Sequence, residues 1–433
     1  MSHSKIAPIA IIGGGPCGLV FARLLEQAGG IDYVVFERDD SAAPQTHYSG
    51  GGGTLDLHAE TGQAALAAAG LTDEFEKYAR READVVTIQD SQGGNRFRHG
   101  HEGGVSNRPE IDRYQLRKIL LESIPAHRVR WGKTLKAIER DESVKDAADA
   151  KGWRLCFTDG STETGFRLVV GADGAFSKVR PVITPAKPIY SGKSYIEGRI
   201  THANPHYAEA QEMAGPGMWG SIGAGHMLAV QQMGDRTYRL YAGIEEPEAL
   251  TRPGGALDFT ADIEKSKAAL LGLYEGWAPN LRALIQDAEG PWRVWPLYTF
   301  QPEVFAPDTV KENWVHAPGL TLLGDAAHVA LPNGEGVNIA MLDALKLFEC
   351  LATELGIKAS GGSKSGNQGK VFDPSVDAAA VERAIVAYET GMLKRAYEHI
   401  LEGFQQMEMM YQADGAQRMI AMFKQFSEEA GQS

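Results

Sequence analysis

The stretch Ile9-Ala10-Ile11-Ile12-Gly13-Gly14-Gly15-Pro16-Cys17-Gly18 decides how the N-terminal part of this chain is expected to fold. Its apolar half predicts a short buried strand, and the residues after the glycines predict a helix that ends near Gly29. A second apolar strand, residues 33–36, follows and is closed by Glu37. A G-x-G-x-x-G motif between a strand and a helix, with an acid 19 residues after its last glycine, predicts a dinucleotide-binding βαβ unit.

The residues of this fingerprint have separate physical roles at a dinucleotide. Gly13 makes the tight turn, Gly15 lets a pyrophosphate reach the backbone, and Gly18 allows close packing of the helix. Glu37 can accept hydrogen bonds from ribose hydroxyl groups. The other two predicted cofactor-binding residues of this unit are the proline that opens the helix and the arginine after the acid, Pro16 and Arg38. The fingerprint fits NAD and FAD equally well, and a bare glycine turn is the alternative to both.

Two further acids stand at the carboxyl ends of predicted strands. Asp173 follows the apolar run 168–171 and begins a D-G-x-x-S-x-x-R arrangement. Asp325 follows the run 320–323, lies in the stretch Gly324-Asp325-Ala326-Ala327-His328 and precedes a predicted helix. In an open α/β sheet this end of the strands faces the ligand, and a helix start binds anions. The alternatives are an ordinary Asp-Gly turn for Asp173, and a strand-turn-helix corner with a capping aspartate for Asp325.

Composition and charge exclude several classes of protein. The chain has 433 residues, a net charge of −13 and scattered Lys and Arg residues, which argues against a nucleic-acid partner. Cys17, Cys156 and Cys350 have neither disulfide nor metal-ligand spacing, which is typical of a reducing compartment. The sequence contains no uncharged run of ~18 apolar residues, so we expect no membrane helix. The apolar run near the N-terminus lacks the features of a signal peptide. We expect a cytoplasmic protein.

The pattern along the chain predicts an α/β fold in which a Rossmann-like cofactor domain is interleaved with an antiparallel-sheet substrate domain. Residues 1–183, including a small hairpin over 85–98, and residues 292–358 form the two parts of the cofactor domain. Residues 184–291 form the substrate-binding sheet, and the Gly, Ser and Lys-rich segment 359–375 predicts a flexible loop. Residues 376–433 predict a long helical segment, bent or broken at Gly415, whose apolar seam bridges the domains.

One strand of the predicted substrate sheet has a polar and aromatic face. Alternation over residues 237–242 places Tyr238 and Leu240 on one face, and Arg239 and Tyr241 on the other. The second face would either contact a planar substrate or be solvated.

The fingerprint, the Asp173 motif and the Asp325 stretch stand in an order that resembles the single-component FAD-dependent aromatic hydroxylases. These are monooxygenases with the para-hydroxybenzoate hydroxylase fold, and the resemblance covers nearly the whole chain. Three stretches look most like the tetracycline-inactivating branch of that family: Gly52-Gly53-Thr54-Leu55-Asp56-Leu57-His58, Ile111 to Leu121, and Gly324 to His328 followed by Gly336-Val337-Asn338.

The resemblance implies how FAD is held. Glu37 would hold the adenosine ribose, while Arg117 and Asp56 would contact FAD. Asp325 would bind its ribityl or pyrophosphate region, and Asp173 with a following helix would shape the cleft for FAD and NADPH. The loop before the next helix supplies the remaining predicted cofactor-binding residues, Pro332, Gly336, Val337 and Asn338.

The resemblance further implies an FAD-dependent monooxygenase that takes electrons from NADPH, a transient co-substrate, and forms a flavin C4a-hydroperoxide with O₂. One oxygen atom would pass to a planar aromatic or polycyclic small molecule of secondary metabolism by hydroxylation, epoxidation or N-oxidation. We assign no catalytic side chain and no metal ligand, and we expect a monomer. Two alternatives stay open: a flavoprotein reductase or oxidase on the same fold, and a flavin-loaded protein that binds a planar ligand without turnover. The W-x-W-x-I-P motif of flavin halogenases is absent, since two residues separate Trp292 from Trp295.

The chain departs from the family pattern at two places near the expected flavin ring. Where the family often has Pro-Pro-x-x-Gly-Gln-Gly, this chain has Leu331-Pro332-Asn333-Gly334-Glu335-Gly336, which is one residue shorter and has Glu335 in the position of the Gln. Relatives in the tetracycline branch carry an Arg shortly before Gly-Gly-Thr, where this chain has Tyr48, Ser49 and extra glycines. The resemblance therefore predicts a class of substrate and not tetracycline itself.

Overall fold

A computed structural model describes residues 9–29, 31–42, 53–100, 107–141, 152–223, 225–357 and 378–430. The loop predicted over 359–375 lies outside the described residues, and so do Tyr48, Ser49 and the glycines at 50–52. Two large sheets and two small ones organise the described residues.

The first large sheet is parallel. Its strands, numbered by their order in the chain, are β1 (Ile9–Ile12), β2 (Tyr33–Phe36), β7 (Val129–Arg130), β11 (Leu168–Gly171) and β17 (Leu320–Leu322). Their order across the sheet is β17, β11, β1, β2, β7. Every residue of β1, β2, β11 and β17 is buried, which explains why continuous apolar runs mark them in the sequence. Because the strands are parallel, their carboxyl ends meet at one edge.

Four helices join this sheet in the largest hydrophobic core. They are α1 (Pro16–Ala28), α4 (Arg113–Glu122), α10 (Gly336–Leu355) and α11 (Ala378–Met410). Helix α1 contacts α4 and α10, and α10 contacts α11. The chain leaves α1 at Gly29 with φ 68°, as predicted, and leaves α10 at Gly356 with φ 65°. Glycine adopts this left-handed conformation without a steric penalty.

The second large sheet has seven strands: β4 (Val85–Asp90), β5 (Phe97–Gly100), β12 (Ile189–Ile200), β13 (Met218–Gly223), β14 (His226–Gln232), β15 (Tyr238–Glu245) and β16 (Glu289–Thr299). Their order is β16, β12, β15, β14, β13, β4, β5, and only the pair β13 and β4 is parallel. The β4–β5 hairpin and most of β16, which the sequence places in the cofactor domain, pair within this sheet, and the predicted domain boundaries stay a prediction. Strands β4 and β16 pair with segments distant in the chain, which local patterns cannot indicate.

The two faces of this sheet have different environments. One face packs on α5 (Tyr207–Ala214), α6 (Ile263–Leu273) and α7 (Pro279–Asp287), and its core includes Tyr238 and Leu240. Tyr241 lies on the opposite face, in a cluster with residues of α11 and α12 (Gly415–Ala430). The alternation predicted for residues 237–242 is therefore confirmed.

Two small sheets and four short helices fill the connections. An antiparallel ribbon joins β3 (Thr54–Asp56) to β6 (Glu110–Asp112), and a three-stranded sheet contains β8 (Leu135–Arg140), β9 (Trp153–Phe157) and β10 (Thr162–Phe166). The short helices are α2 (Ala64–Ala68), preceded by a π-helical turn at Ala59–Gln63, α3 (Thr72–Glu76), α8 (Val310–Asn313) and α9 (Asp325–His328).

The C-terminal helices reach both large sheets. Ile400 of α11 belongs to the core of the parallel sheet, whereas Met407 belongs to the cluster on the seven-stranded sheet. The helix ends at Met410, and Gly415 begins α12. A Cβ on Gly415 would lie 2.3 Å from the Met410 carbonyl oxygen, so the predicted break needs a glycine there. The predicted fold class is confirmed. None of the described helices has the length and apolar character needed to span a bilayer.

Candidate cofactor site

The glycine loop between β1 and α1 presents its backbone to a cavity of about 770 Å³. Gly13 has φ 109°, and a Cβ there would lie 2.3 Å from the Ala172 carbonyl oxygen, so only glycine fits. A Cβ on Gly15 would meet no atom within 4 Å. Gly15 precedes α1, whose start has no side-chain cap. The free N–H groups of the first turn can therefore receive an anion from the cavity.

Glu37, which is buried, holds this loop in place. Its Oε2 accepts a 2.6 Å hydrogen bond from the Gly14 backbone N–H, and its Oε1 accepts one of 2.9 Å from the Asp39 N–H. Arg117 of α4 donates from Nε to the Gly14 carbonyl oxygen (3.1 Å), and its Nη2 lies 2.9 Å from Asp39 Oδ2. Glu37, Asp39 and Arg117 all line the cavity. One network of charges therefore surrounds the loop.

Asp173 lies beside the glycine loop, just beyond β11. Its Oδ2 accepts a 2.7 Å hydrogen bond from the Lys178 backbone N–H, whereas Oδ1 is buried and has no hydrogen-bond partner among the described residues. Burial raises the pKa of this carboxyl group. A buried acceptor without a donor costs about 1–3 kcal/mol. A hydroxyl group of a bound ligand would remove that cost.

The helix predicted directly after Asp173 is wrong. Gly174 has φ 78°, which does not start an α-helix, and a 3-10 helix covers only Arg180–Val182. The buried Arg180 donates to the carbonyl oxygens of Ala175 (2.6 Å) and Ala326 (3.1 Å). The Arg180 side chain therefore ties the Asp173 turn to α9 and does not face the cavity from a helix that follows Asp173.

Asp325, the first residue of α9, lines the same cavity. At the preceding Gly324, with φ 55°, a Cβ would lie 2.7 Å from the Ala340 Cβ in α10 and 3.5 Å from Cys17 Sγ in α1. The loop therefore fits between the starts of two helices. Helix α10, whose N-cap residue is Glu335, has no side-chain hydrogen-bond cap and no acid in its first turn, so the N–H groups of that turn can also receive an anion.

A buried network supports the Asp325 loop from behind. Asp343 of α10 accepts hydrogen bonds from the Gly324 N–H (3.2 Å), His328 Nε2 (2.6 Å) and Arg395 Nη2 (2.9 Å). Burial alone would raise the pKa of Asp343, but the charges of His328 and Arg395 lower it below its usual range. Asp343 in turn raises the pKa of His328 against the effect of burial. These three hydrogen bonds to Asp343 thus fix the loop that presents Asp325.

The cavity brings together many of the predicted cofactor-binding residues. Those that line it are Gly13, Gly15, Glu37, Arg38, Arg117, Asp173 and Asp325. Pro16 and Gly18 lie in the first turn of α1, where a Cβ on Gly18 would approach the Gly13 carbonyl oxygen to 2.3 Å. That these residues contact the cofactor stays a prediction.

The other predicted residues form a second group at the start of α10. Within the described part of the chain, Asp56, Pro332, Gly336, Val337 and Asn338 are not among the residues that line the cavity. Asn338 is buried, and its Oδ1 accepts a hydrogen bond from the His58 backbone N–H (2.9 Å). Its Nδ2 donates to the Asp56 carbonyl oxygen (2.9 Å). The Asn338 side chain therefore joins β3 to α10, which leaves only its backbone N–H for a cofactor.

His58 lies between two carboxylates in this second group. Its Nε2 is 2.8 Å from Asp56 Oδ2, and its Nδ1 is 2.8 Å from Glu335 Oε1. Burial alone would lower the pKa of His58, but the two carboxylates raise it to about 9. Glu335, the residue in the family's glutamine position, is therefore paired with a cation.

Strand β16 brings the seven-stranded sheet to the cavity. Trp295 lines the cavity, and its Nε1 donates a 2.9 Å hydrogen bond to Glu197 Oε2. Glu197 Oε1 lies 2.9 Å from Arg239 Nη1, and both of these side chains are buried. A solvated face is therefore excluded for Arg239. Phe176, whose side chain is 64% exposed, lines the cavity as well.

Sequence reasoning missed several residues of the site. They are Asp39, Lys133, Phe176 and Trp295 in the cavity lining, and His58 beside Glu335. The sequence could have indicated Asp39, since it is a second acid at the end of the same strand as Glu37. It could not have indicated Trp295, because this residue reaches the cavity only through the pairing of β16 with β12.

These groups fit FAD. A glycine loop open to the cavity, two uncapped helix starts and the unsatisfied Asp173 Oδ1 suit a long ligand that carries a pyrophosphate and several hydroxyl groups. A Rossmann-like domain with such a cavity, which Trp295 of the second sheet also lines, is typical of dinucleotide-binding proteins.

Comparison with known proteins narrows the class. A family model described as FAD binding domain matches residues 7–198. Over 422 residues, covering 90% of this chain and 92% of the relative, the chain is 31% identical to Monooxygenase asqM of Emericella nidulans. The crystal structure of Klebsiella pneumoniae HpxO complexed with FAD and uric acid has a TM-score of 0.68 at 21% identity and covers 97% of this chain and 92% of that one. Tetracycline destructase Tet(51) has a TM-score of 0.61 at 16% identity and covers 98% of both chains.

This chain therefore belongs to the FAD-dependent monooxygenases of the aromatic hydroxylase family. The resemblance inferred from the sequence is confirmed, and so is FAD as the cofactor. The protein is an oxidoreductase, which excludes a flavin-loaded binding protein without turnover.

Proposed function

We propose that this enzyme uses NADPH and O₂ to hydroxylate, epoxidise or N-oxidise a planar aromatic or polycyclic small molecule. One observation carries the proposal: the glycine loop, Asp173 and Asp325 of the parallel-sheet domain share a single cavity with Trp295 of the seven-stranded sheet. A site at such a junction can hold a cofactor on one side and a flat substrate on the other. Bound FAD supplies the redox chemistry, namely hydride acceptance and O₂ activation.

The residues of the parallel-sheet domain would bind FAD and orient it. Gly15 and the free N–H groups of α1 would receive the pyrophosphate, and Glu37 would accept from the ribose. Asp173 Oδ1 would accept a hydrogen bond from a cofactor hydroxyl group. The start of α10 would place a positive partial charge where the reduced cofactor is negative.

The seven-stranded sheet supports the choice of a planar substrate. Trp295 is held by Glu197, which is itself held by the buried Arg239, so the indole forms a fixed wall. Stacking on such a ring stabilises a flat ligand by about 0.5–1.5 kcal/mol beyond its burial. The ligand in the HpxO complex, uric acid, is also a flat ring system.

The sequence supports transient binding of NADPH. Only one G-x-G-x-x-G stands between a predicted strand and helix, so we propose that NADPH reaches the site without a nucleotide domain of its own. Three cationic residues line the cavity and would provide positive charge for the phosphates of NADPH: Lys133, Lys178 and Arg113.

Two measurements test this function. Anaerobic mixing with NADPH or NADH should bleach the bound flavin faster with NADPH. Screening aromatic polyketides, phenols and indole alkaloids in air should reveal a compound that accelerates NADPH oxidation and gains one oxygen atom in its mass. Flavin reduction with electrons passed to another acceptor, or release of hydrogen peroxide as the sole oxygen product, would identify a reductase or an oxidase instead.

A further inference from the structure

The loop between α9 and α10, residues 329–335, connects the helix that begins with Asp325 to the helix that begins at Gly336. Gly324 packs against Ala340, and Ala340 is five residues from Glu335, or about 7.5 Å along the helix axis. Glu335 therefore begins the helix against which the Asp325 loop packs.

The geometry around His58 determines its protonation. Both ring nitrogens lie 2.8 Å from a carboxylate oxygen, one of Asp56 and one of Glu335. A neutral imidazole has one N–H group, so its other nitrogen would direct a lone pair at an acceptor. With both acids ionised, both contacts are favourable only when the ring carries two protons.

We propose that His58 is a positioning residue that clamps the loop before α10 to strand β3 and, as an imidazolium, cancels the charge of Glu335, which the family resemblance places near the flavin ring. The name His58 clamp refers below to Asp56, His58 and Glu335. The proposal rests on FAD binding and is independent of which reductant the enzyme uses.

The clamp explains how this chain tolerates Glu335 in the family's glutamine position. An unpaired carboxylate there would oppose the negative charge of reduced flavin, whereas the positive end of α10 favours that charge. With His58 protonated, the clamp has a net charge of about −1 from two acids and one cation. From α11, His399 and Glu402 also interact with Glu335, and burial lowers the pKa of His399 to about 4, so that ring is neutral at pH 7.

Variants that change the charge of the clamp should shift the flavin midpoint potential in opposite directions, which a purely structural role would not produce. His58→Gln makes the clamp more negative by one charge, and Glu335→Gln makes it less negative by one. The double variant restores the original value. We expect the midpoint potential of bound flavin to fall in H58Q, to rise in E335Q, and to return close to wild type in the double variant. A tenfold change in the relative affinity for reduced and oxidised FAD corresponds to ~30 mV for a two-electron couple, and we expect each single shift to reach it.

The measurement is a redox titration of each holoenzyme with a chemical reductant. His206→Gln is a matched control, since His206 is also bridged by two carboxylates, Glu209 (3.0 Å) and Asp287 (2.9 Å). His206 directly precedes α5, which packs on the other face of the seven-stranded sheet. The potential of this control should equal that of wild type. Shifts of the same sign in H58Q and E335Q, or no shift in either, would overturn the proposal.

A second measurement covers the case in which H58Q fails to retain FAD. Histidine NMR of the wild-type protein at pH 7.5 should show the His58 ring doubly protonated, and E335Q should still raise the potential. A neutral His58 ring at that pH would contradict the clamp.

Discussion

Glu37 shows how one side chain can organise a binding loop. Its two carboxylate oxygens accept hydrogen bonds from the backbone N–H groups of Gly14 and Asp39, and Arg117 donates to the Gly14 carbonyl oxygen of the same loop. Each carboxylate oxygen can accept more than one hydrogen bond, so Glu37 can still receive a ribose hydroxyl group. The residue that shapes the site can thus bind the ligand as well.

Removing either acid at the ends of the site should weaken FAD binding. We expect Glu37→Ala or Asp325→Ala to lower FAD affinity about tenfold or more, because each variant loses a charge-assisted hydrogen bond of about 1.5–3 kcal/mol. Fluorescence titration of the apoprotein with FAD measures this affinity. Asp32→Ala, which alters an exposed acid before the same strand β2, is the control. Titration curves equal to wild type in both test variants would remove Glu37 and Asp325 from the site.

Two glycines of the same loop should respond differently to alanine. Gly13→Ala places a Cβ 2.3 Å from the Ala172 carbonyl oxygen at φ 109°, so we expect a loss of folding free energy of about 1–3 kcal/mol or more. Gly15→Ala has φ −81° and an open surrounding, so it should fold as wild type and lose FAD affinity because its methyl group enters the cavity. Chemical denaturation of the apoproteins and FAD titration separate the two effects. Equal stability of both variants would contradict this account of the loop.

Among the elements, helix α10 is held in place by Asp343 on its buried side, which pairs with His328 of α9 and Arg395 of α11. Asp343→Asn leaves Arg395 and His328 without their buried anion, and we expect a loss of about 3–5 kcal/mol of unfolding free energy. Glu349→Gln, on an exposed part of the same helix, should change stability by less than about 0.5 kcal/mol. Urea denaturation measures both. A small effect at Asp343 would show that the network is not ionised.

The His58 clamp should make stability depend on pH. The pKa of His58 is raised from 6.5 to about 9, so its contribution is complete below about pH 6.5 and is lost as the pH rises through 9. It amounts to about 3 kcal/mol at most, since one pKa unit is about 1.4 kcal/mol. The difference in unfolding free energy between wild type and H58Q should shrink over this range. A difference that stays constant from pH 6.5 to 9.5 would contradict a charged His58.

The sequence predicts best those elements whose local residue pattern directly reflects their burial or their backbone conformation. Strands β1, β2 and β11 are fully buried, so their apolar runs suffice, and Gly29 and Gly415 end or begin helices for steric reasons. The helix expected after Asp173 fails because Gly174 adopts φ 78° and Arg180 turns inward to carbonyl groups. A short motif fixes the composition of a turn but not its geometry.

At the scale of the whole molecule, the site depends on pairings that no local pattern contains. The sequence places Gly13, Glu37, Asp173 and Asp325 at strand ends, and a parallel sheet is enough to bring them together. Trp295 needs β16 to pair with β12, and the contact of His58 with Asn338 joins residues 280 positions apart. The pairing of β4 with β13, which also joins distant parts of the chain, is likewise absent from any local pattern.

Labelling with oxygen-18 gas distinguishes product oxygen that comes from O₂ from product oxygen that comes from water. With a substrate found by the screen, wild-type enzyme and NADPH, we predict that the product contains one labelled oxygen atom from O₂. We also predict that one NADPH is consumed for each product molecule. Product oxygen that derives from unlabelled water, or NADPH consumption that yields only labelled hydrogen peroxide with the substrate unchanged, would contradict a monooxygenase reaction in this cavity.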